Sequence, residues 1–205
     1  MPRFTDSSAG EISARDPRRE ILDAASALLS EGGAEGLTIR RLSLRSGYTS
    51  PAIYAQFGDK AGLLDAILQR AVNGLVERLE RLPASPDPRE RMRLQFKEIV
   101  RFGREHPTNY RLMEALRPDQ VLAIPSAEAT RQRLEEPIQS LARTGGLAVA
   151  DAETFRQAVW ALLHGLISLP ASRPDVVWRE GLADIALDAM LAGLLRRDEP
   201  GGESR

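Results

Sequence analysis

The strongest constraint on the fold lies between residues 37 and 64, where a single glycine separates two short amphipathic segments. Ile39 and Leu42 stand three residues apart and therefore share one face of a first helix. Thr38 precedes this helix and can cap its start. Gly47 then reaches positive φ at low cost, as a sharp turn requires. The stretch predicts a helix that ends in a tight turn.

The second segment starts at Ser50, a capping residue, followed by Pro51, which is favoured in a first helical turn. Ile53 and Phe57 stand four residues apart, so both can anchor one face of this helix to a core. The other side chains then face outward. Two helices joined by a short glycine turn are typical of the helix-turn-helix, whose second helix enters the major groove of DNA.

Local charge favours the same interpretation. Between residues 37 and 60 there is one negative side chain, Asp59, and there are four positive ones, which gives a local net charge of +3. The positive residues are Arg40, Arg41, Arg45 and Lys60. The whole chain has a net charge of −1, so attraction to DNA must come from this patch. The alternative is an ordinary pair of packed helices with a solvated arginine face, because such pairs are common in all-helical proteins.

The segment from about Arg18 to Ala66 resembles the DNA-binding domain of the TetR family of bacterial transcriptional repressors. The residues that carry the resemblance are Thr38, Ile39, Leu42, Gly47, Tyr54, Phe57, Lys60, Leu63 and Leu64. The chain departs from the family pattern at Ser43 and Ser46, where alanine is usual, at Tyr48, where a small aliphatic residue is usual, and at Gln56, where histidine is common. These departures can alter the operator sequence or the packing of the helices.

The resemblance implies DNA-binding roles for residues on and beside the second helix. Ser50, Pro51, Ala52 and Gln56 are expected to face the bases, and Thr49, Tyr54 and Lys60 to hold phosphates. Thr38 and Arg40 complete the predicted DNA-binding set. The amide groups at the start of the next helix, beside Lys60, also suit a phosphate oxygen. Arg18 and Arg19, in the first turn of the first helix, contact phosphate or are simply exposed.

No stretch alternates apolar and polar residues as a strand does, so the sequence predicts an all-α fold of nine or ten helices. The predicted domains are a disordered arm (1–15), a helix-turn-helix domain (16–60), a ligand-binding and dimerisation domain (61–197) and a disordered tail (198–205), with a helix over 60–82 shared. The first helix is expected to end near residue 30, a later one to span 151–169, and the last to span 177–195.

The C-terminal part is similar to the ligand-binding and dimerisation domain of the same family, through Trp160, His164 and Gly165. The last two helices form an apolar hairpin whose surface indicates a partner, most simply a second copy of the chain. The predicted interface residues are Phe155, Val159, Leu163, Leu166, Leu182, Ile185, Ala189, Met190 and Gly193. His164 is either hydrogen-bonded beside the indole or a ligand contact.

An effector pocket is expected between the long helix and those that follow residues 83–88. Its candidate residues are Phe96, Phe102, His106, Tyr110, Met113, Glu114, Trp160 and His164. Aromatic residues and methionine at helical spacing are more often plain core, so each residue has both interpretations open. Mostly apolar walls favour a hydrophobic or amphipathic small molecule.

Other functions find little support. Cysteine is absent, which excludes disulfides and thiolate metal sites, and the two histidines belong to no metal-binding or nucleophile motif. We therefore expect no enzyme activity, cofactor or metal. The N-terminus lacks the apolar core of a signal peptide and no apolar run could cross a membrane, so we expect a cytoplasmic protein.

Together these features predict a homodimer that binds a palindromic operator in double-stranded DNA, most simply as a repressor released by a small-molecule effector. The two recognition helices would enter successive major grooves about 34–36 Å apart. The alternative is a helical interaction or scaffold protein that has lost specific DNA binding.

Overall fold

The computed structural model describes residues 16–114 and 124–196, and these residues form nine α-helices. The helices are α1 (Pro17–Gly36), α2 (Ile39–Ser46), α3 (Ser50–Phe57), α4 (Lys60–Glu80), α5 (Pro88–Glu105), α6 (Pro107–Glu114), α7 (Pro125–Arg143), α8 (Ala152–Ser172) and α9 (Leu182–Leu194). The prediction of an all-α fold is confirmed. The predicted arm and tail, and most of the stretch around Pro118, lie outside the described residues.

The chain divides into two compact units, one ending at Leu64 and the other beginning at Asp65. In the first unit, α1, α2, α3 and the start of α4 all contribute buried apolar side chains. The most completely buried are Ile21, Ala25, Leu29, Leu37, Leu42, Ile53 and Leu63. The spacing of Ile21, Ala25 and Leu28 in α1 turns all three side chains towards this core, as helical periodicity requires.

In the second unit, α5, α7, α8 and α9 enclose the main core. Its buried members are Met92, Phe96, Val100, Tyr110, Ile138, Leu141, Leu147, Phe155, Val159, Leu163, Leu166, Ile167, Leu187, Leu191 and Leu195. Helices α5 and α8 approach closely at Gly103, where an added Cβ would lie 2.6 Å from Cγ2 of Ile167. Glycine at this position therefore sets the distance between the two helices.

A smaller cluster joins α4 to the start of α7 through Leu68, Val72, Val76, Ile124 and Ala127. Leu112 and Met113 of α6 pack against its side.

Three predicted helix boundaries were wrong by three residues or more. Helix α1 continues to Gly36 and is interrupted at Gly33, whose φ of 63° is not helical. Helix α8 continues past Pro170 to Ser172. Its last turn is completed by a hydrogen bond from the Arg173 amide to the Leu169 carbonyl at 2.8 Å. Helix α9 begins only after Gly181, whose φ of 76° places it in the left-handed region.

Candidate nucleic-acid interface

The turn between α2 and α3 is built from local hydrogen bonds. Thr38 caps α2, because its Oγ1 accepts a hydrogen bond from the amide of Arg41 at 3.2 Å. Gly47 ends α2 with a φ of 76°, and its amide donates to the carbonyl of Ser43 at 3.1 Å. The positive φ explains why the sequence has glycine at this position.

Helix α3 starts one residue earlier than the sequence predicts. Thr49, and not Ser50, is its cap, because Oγ1 of Thr49 accepts from the amide of Ala52 at 3.4 Å. A hydroxyl that accepts in this way keeps its own proton to donate to another oxygen. Thr49 therefore remains suited to a phosphate contact while it caps the helix.

The two faces of α3 differ sharply in exposure. Ile53 and Phe57 are 1% and 8% exposed and fix the helix to the core. Pro51 and Gln56 are exposed on other faces, and Tyr54 is 44% exposed. An α-helix with its side chains is about 10–12 Å across, so the major groove of B-DNA, about 12 Å wide, can admit it. The outward face of α3 is thus a short polar ridge of a size that fits DNA.

The side chains predicted to contact DNA lie mostly at the surface of this unit. Thr38, Arg40, Thr49, Pro51, Tyr54, Gln56 and Lys60 are exposed, and Ser50 and Ala52 are half-buried.

Positive charge at this surface is only partly neutralised. The guanidinium of Arg45 forms an ion pair with Glu31 at 2.7 Å. Arg40, Arg41 and Lys60 are exposed, and no carboxylate among the residues that the structure describes pairs with them. The attraction to a polyanion therefore comes from these three side chains, and Arg45 contributes little.

The start of α4 is less suited to a phosphate than expected. The carboxylate of Asp59 accepts a hydrogen bond from the amide of Gly62 at 2.8 Å, so Asp59 caps this helix. A carboxylate at that position uses one of the free amides and adds a negative charge. Lys60 is left to act as a single cation.

A hydrogen-bonded chain that the sequence analysis missed ties the turn to α1. Oγ of Ser43 donates to the carbonyl of Tyr48 at 2.7 Å, and the Tyr48 hydroxyl donates to Oε2 of Glu20 at 2.7 Å. Ser43 and Tyr48 are two of the four departures from the family pattern. Their combination connects α2, the turn and α1, and no spacing rule links residues that lie 28 positions apart.

Arg18 fixes the other end of α3. Its guanidinium donates to the carbonyl of Gln56 at 2.8 Å and lies 4.7 Å from the centre of the Phe57 ring. The sequence predicts that Arg18 contacts phosphate or is simply exposed. Neither prediction includes its contacts with Gln56 and Phe57 at the end of α3.

Gly62 adds a close backbone approach at the same end of α3. A Cβ added at position 62 would lie 2.1 Å from the carbonyl oxygen of Phe57. In the sequence, the glycine in the first turn of α4 is the feature that could have indicated this close approach.

Comparison with known proteins agrees with this geometry. Residues 21–67 match the family model described as bacterial regulatory proteins of the tetR family. Residues 92–194 match the model described as a tetracyclin repressor-like C-terminal domain. The chain belongs to the TetR family. The resemblance inferred from residues 18–66 is therefore confirmed, and it extends over the C-terminal part.

Individual TetR-family relatives give the same result. The chain is 29% identical over 190 residues to the transcriptional repressor AcnR of Corynebacterium glutamicum, covering 88% of this chain and 94% of that protein. It is 31% identical over 140 residues to AcnR of Corynebacterium efficiens, covering 60% and 73%. The crystal structure of PfmR from Thermus thermophilus has a TM-score of 0.64 at 27% identity, covering 86% and 99%. The protein is a DNA-binding transcriptional regulator, and it is not an enzyme.

The predicted effector residues separate into groups in the second unit. One group surrounds His164, whose ring stacks on Trp160 at 5.8 Å and lies 6.2 Å from Tyr110. Nδ1 of His164 is 2.8 Å from Oε2 of Glu114, although outside hydrogen-bond geometry. Burial raises the pKa of the Tyr110 phenol, and the charge of Glu114 and a hydrogen bond to it raise that pKa further.

The second group surrounds His106. Its ring lies 5.0 Å from Phe102, and its Nε2 is 3.3 Å from a guanidinium nitrogen of Arg78. Phe96 is part of the main core and Met113 packs against the smaller cluster. The structure therefore does not bring the eight residues into one contiguous wall.

Three cavities in the second unit have volumes of about 490, 400 and 170 Å³. None of the eight predicted effector residues lines any of these three.

The nine predicted interface residues also divide by exposure. Phe155, Val159, Leu163 and Leu166 are at most 8% exposed and belong to the core of the same chain, so they are not available to a partner. Ile185 is 68% exposed, and Ala189 and Gly193 are exposed beside it on α9. Leu182 and Met190 are half-buried. The reason for the error is that apolar periodicity marks a buried face without indicating which element covers it.

Within residues 16–114 and 124–196, no cluster of three or more side chains of histidine, aspartate or glutamate could hold a metal ion. None of the helices in the same ranges combines the length and the apolar character needed to cross a membrane.

Proposed function

We propose that the protein is a cytoplasmic, ligand-responsive repressor that binds a palindromic operator as a homodimer and leaves it when a small apolar or amphipathic effector binds. The observation that carries this proposal is the construction of α3. One face is held in the core by Ile53 and Phe57, and Tyr54 and Gln56, on the two flanks of that face, are exposed to solvent.

The proposed DNA contacts follow from chemistry at that face. Thr49 and Tyr54 carry hydroxyl donors for phosphate oxygens, and Lys60 supplies a cation. Gln56 has the carboxamide that can pair bidentately with adenine in the major groove, a contact that gives about 1–3 kcal/mol of discrimination. Ser50, Pro51 and Ala52 contact the neighbouring base edges.

Salt dependence tests the electrostatic part. If Arg40, Arg41 and Lys60 of both subunits contact phosphates, six counterions are released, and the slope of log K against log salt is about −5. Affinity then falls by about a thousandfold between 50 and 200 mM salt. Lys60→Gln should make the slope less steep by about 2 per dimer. Arg45→Gln is the matched control, because Arg45 is already paired with Glu31 and should change the slope little.

Operator selection tests the base contact. Gln56→Ala should change the preferred sequence obtained from a random-duplex selection at one position of each half-site. An unchanged preference would remove Gln56 from the readout. Binding to all duplexes with equal affinity in the natural protein would instead favour the alternative, a helical interaction protein without specific DNA binding.

The proposed dimer uses the exposed surface of α8 and α9. Trp160 is 60% exposed and Ile185 is 68% exposed, and large apolar side chains at such exposure are usually covered by a partner when they are contiguous. Light scattering should give twice the 22.5 kDa of one chain. Ile185→Asp should give the monomer mass, whereas Ala129→Asp, at an exposed position of α7, should not. A monomer in the natural protein at micromolar concentration would contradict the proposal.

A further inference from the structure

The last turn of α3 receives a positive charge from another helix. A helix leaves its last carbonyls without partners and carries a partial negative charge at that end, which a basic side chain stabilises. The sequence of α3, SPAIYAQF, contains no basic residue. Arg18, in the first turn of α1, supplies the charge, because its Nη1 donates to the carbonyl of Gln56 at 2.8 Å. The C-terminal end of α3 is therefore completed by α1.

An aromatic ring holds the same guanidinium from a second side. The guanidinium carbon of Arg18 lies 4.7 Å from the centre of the Phe57 ring, which is a cation–π distance. Phe57 is 8% exposed and anchors α3 in the core, so its ring is a fixed surface although Arg18 itself is exposed. The planar guanidinium has its donors in a rigid arrangement, so the ring and the carbonyl together define its orientation.

The position of Arg18 in α1 is unfavourable unless α3 is considered. A positive side chain in the first turn of a helix opposes the dipole of that helix. At the carboxyl end of α3 the same charge is favourable. The contact with α3 therefore gives a reason for the arginine that does not require a phosphate.

The start of α3 is held independently of Arg18. Thr49 caps it from its own sequence, and the hydroxyl of Tyr48 donates to Oε2 of Glu20 at 2.7 Å. Loss of Arg18 should therefore loosen the last turn of α3 and leave the first turn in place. The last turn is the part of the helix that carries Gln56.

We propose that Arg18 is a positioning residue for operator readout, which holds the last turn of α3 and thereby orients the carboxamide of Gln56 without contacting DNA itself. This role rests on the base contact proposed above for Gln56. The guanidinium is bonded to the backbone of that same residue, so any movement at this contact moves Gln56. Without Arg18, the carboxamide samples more orientations, and affinity falls for the operator more than for unrelated DNA.

Amide hydrogen exchange in the free protein tests the first step. The amide of Gly58 donates to the carbonyl of Tyr54 at 2.7 Å, so its exchange reports opening of the last turn of α3. Arg18→Met keeps an unbranched side chain and removes the charge and the donors. Exchange at Gly58 should become about twofold to fivefold faster in this variant. Arg19→Met, at the neighbouring exposed position, is the matched control and should leave it unchanged. Equal exchange in the two variants would overturn the proposal.

Operator binding tests the second step, at a temperature well below the Tm of each variant. Arg18→Met should lower affinity for the operator obtained from the selection by about fivefold or more, as the loss of one bidentate base contact would. Affinity for random duplex and the slope of log K against log salt should not change. If the slope instead becomes less steep by about 2 per dimer and both duplexes bind equally more weakly, Arg18 is a phosphate contact and the proposal is wrong.

A double-mutant cycle separates positioning from a general loss of stability. On a Gln56→Ala background, Arg18→Met should change operator affinity by less than about twofold, because no carboxamide is left to orient. Additive effects would show that Arg18 acts independently of Gln56 and would overturn the proposal. If Gln56→Ala alone leaves the preferred operator unchanged, the base contact of the proposed function fails, and the readout role of Arg18 fails with it. Unchanged exchange at Gly58 refutes the role of Arg18 alone.

Discussion

Replacing Gly62 by alanine tests the close approach of α3 to α4. An ideal Cβ at position 62 would lie 2.1 Å from the carbonyl oxygen of Phe57 and 3.6 Å from Oδ1 of Asp59. Carbon–oxygen contacts are ordinarily about 3.3 Å or longer. The end of α3 or the start of α4 must therefore move by roughly 1 Å.

The expected cost follows from two opposing effects. Overpacking that shifts backbone costs about 1–3 kcal/mol. The loss of glycine from a helix returns about 0.5–1 kcal/mol. We expect a net loss of about 1–2 kcal/mol of unfolding free energy, which lowers the Tm of a protein of this size by about 2–8 °C. The same displacement moves Phe57 and the neighbouring carbonyl of Gln56, so DNA affinity should also fall at temperatures where the variant is fully folded.

The same helix offers a matched control. A Cβ at Gly74 would meet Cε2 of Phe102 at 3.6 Å, an ordinary van der Waals contact. Gly74→Ala should therefore raise the Tm slightly and leave operator affinity unchanged. Thermal unfolding and a mobility shift at about 20 °C below the lower Tm provide the measurements. A Gly62→Ala protein as stable as Gly74→Ala, with natural operator affinity, would refute the reasoning.

Three further predictions concern a close contact in the core, the hydrogen bond from Tyr48 to Glu20 and the helix cap at Asp151. Gly103→Ala should cost about 1–3 kcal/mol, because the new Cβ would lie 2.6 Å from Cγ2 of Ile167. On an Ile167→Ala background the same change should cost much less, and additive effects in urea unfolding would contradict the contact. Tyr48→Phe should cost about 1 kcal/mol through loss of the half-buried hydrogen bond to Glu20, while Glu20→Gln, which keeps an acceptor, should cost less. The backbone amide of Thr154 lowers the pKa of the Asp151 carboxyl. Because the pKa is lowered on folding, this stabilisation is complete above the unfolded pKa of about 4 and is lost as the pH falls through the folded pKa. Asp151→Asn should keep the cap at pH 7 and show a smaller fall in Tm between about pH 5 and pH 3, whereas Asp151→Ala should be less stable already at pH 7.

The helix-turn-helix could be predicted from the sequence because its determinants are local. Gly47 has positive φ whatever it later contacts, and the four-residue spacing of Ile53 and Phe57 places both on one face of a single helix. The hydrogen bonds from Tyr48 to Glu20 and from Arg18 to Gln56 could not be predicted in the same way. They join residues 28 and 38 positions apart, and only the packing of α1 against α2 and α3 brings them together.

In the second unit the sequence identified apolar faces but not what covers them. Helical periodicity in the last two helices predicts Phe155 and Ile185 to lie in one interface. Phe155 is fully buried in its own subunit, whereas Ile185 is 68% exposed. The difference depends on how α5 and α9 pack against α8, and a single chain's periodicity contains no information on that arrangement. The same limit applies to Gln95, because helical spacing indicates that it can be buried but not that its amide donates to the backbone carbonyl of Arg133 on α7.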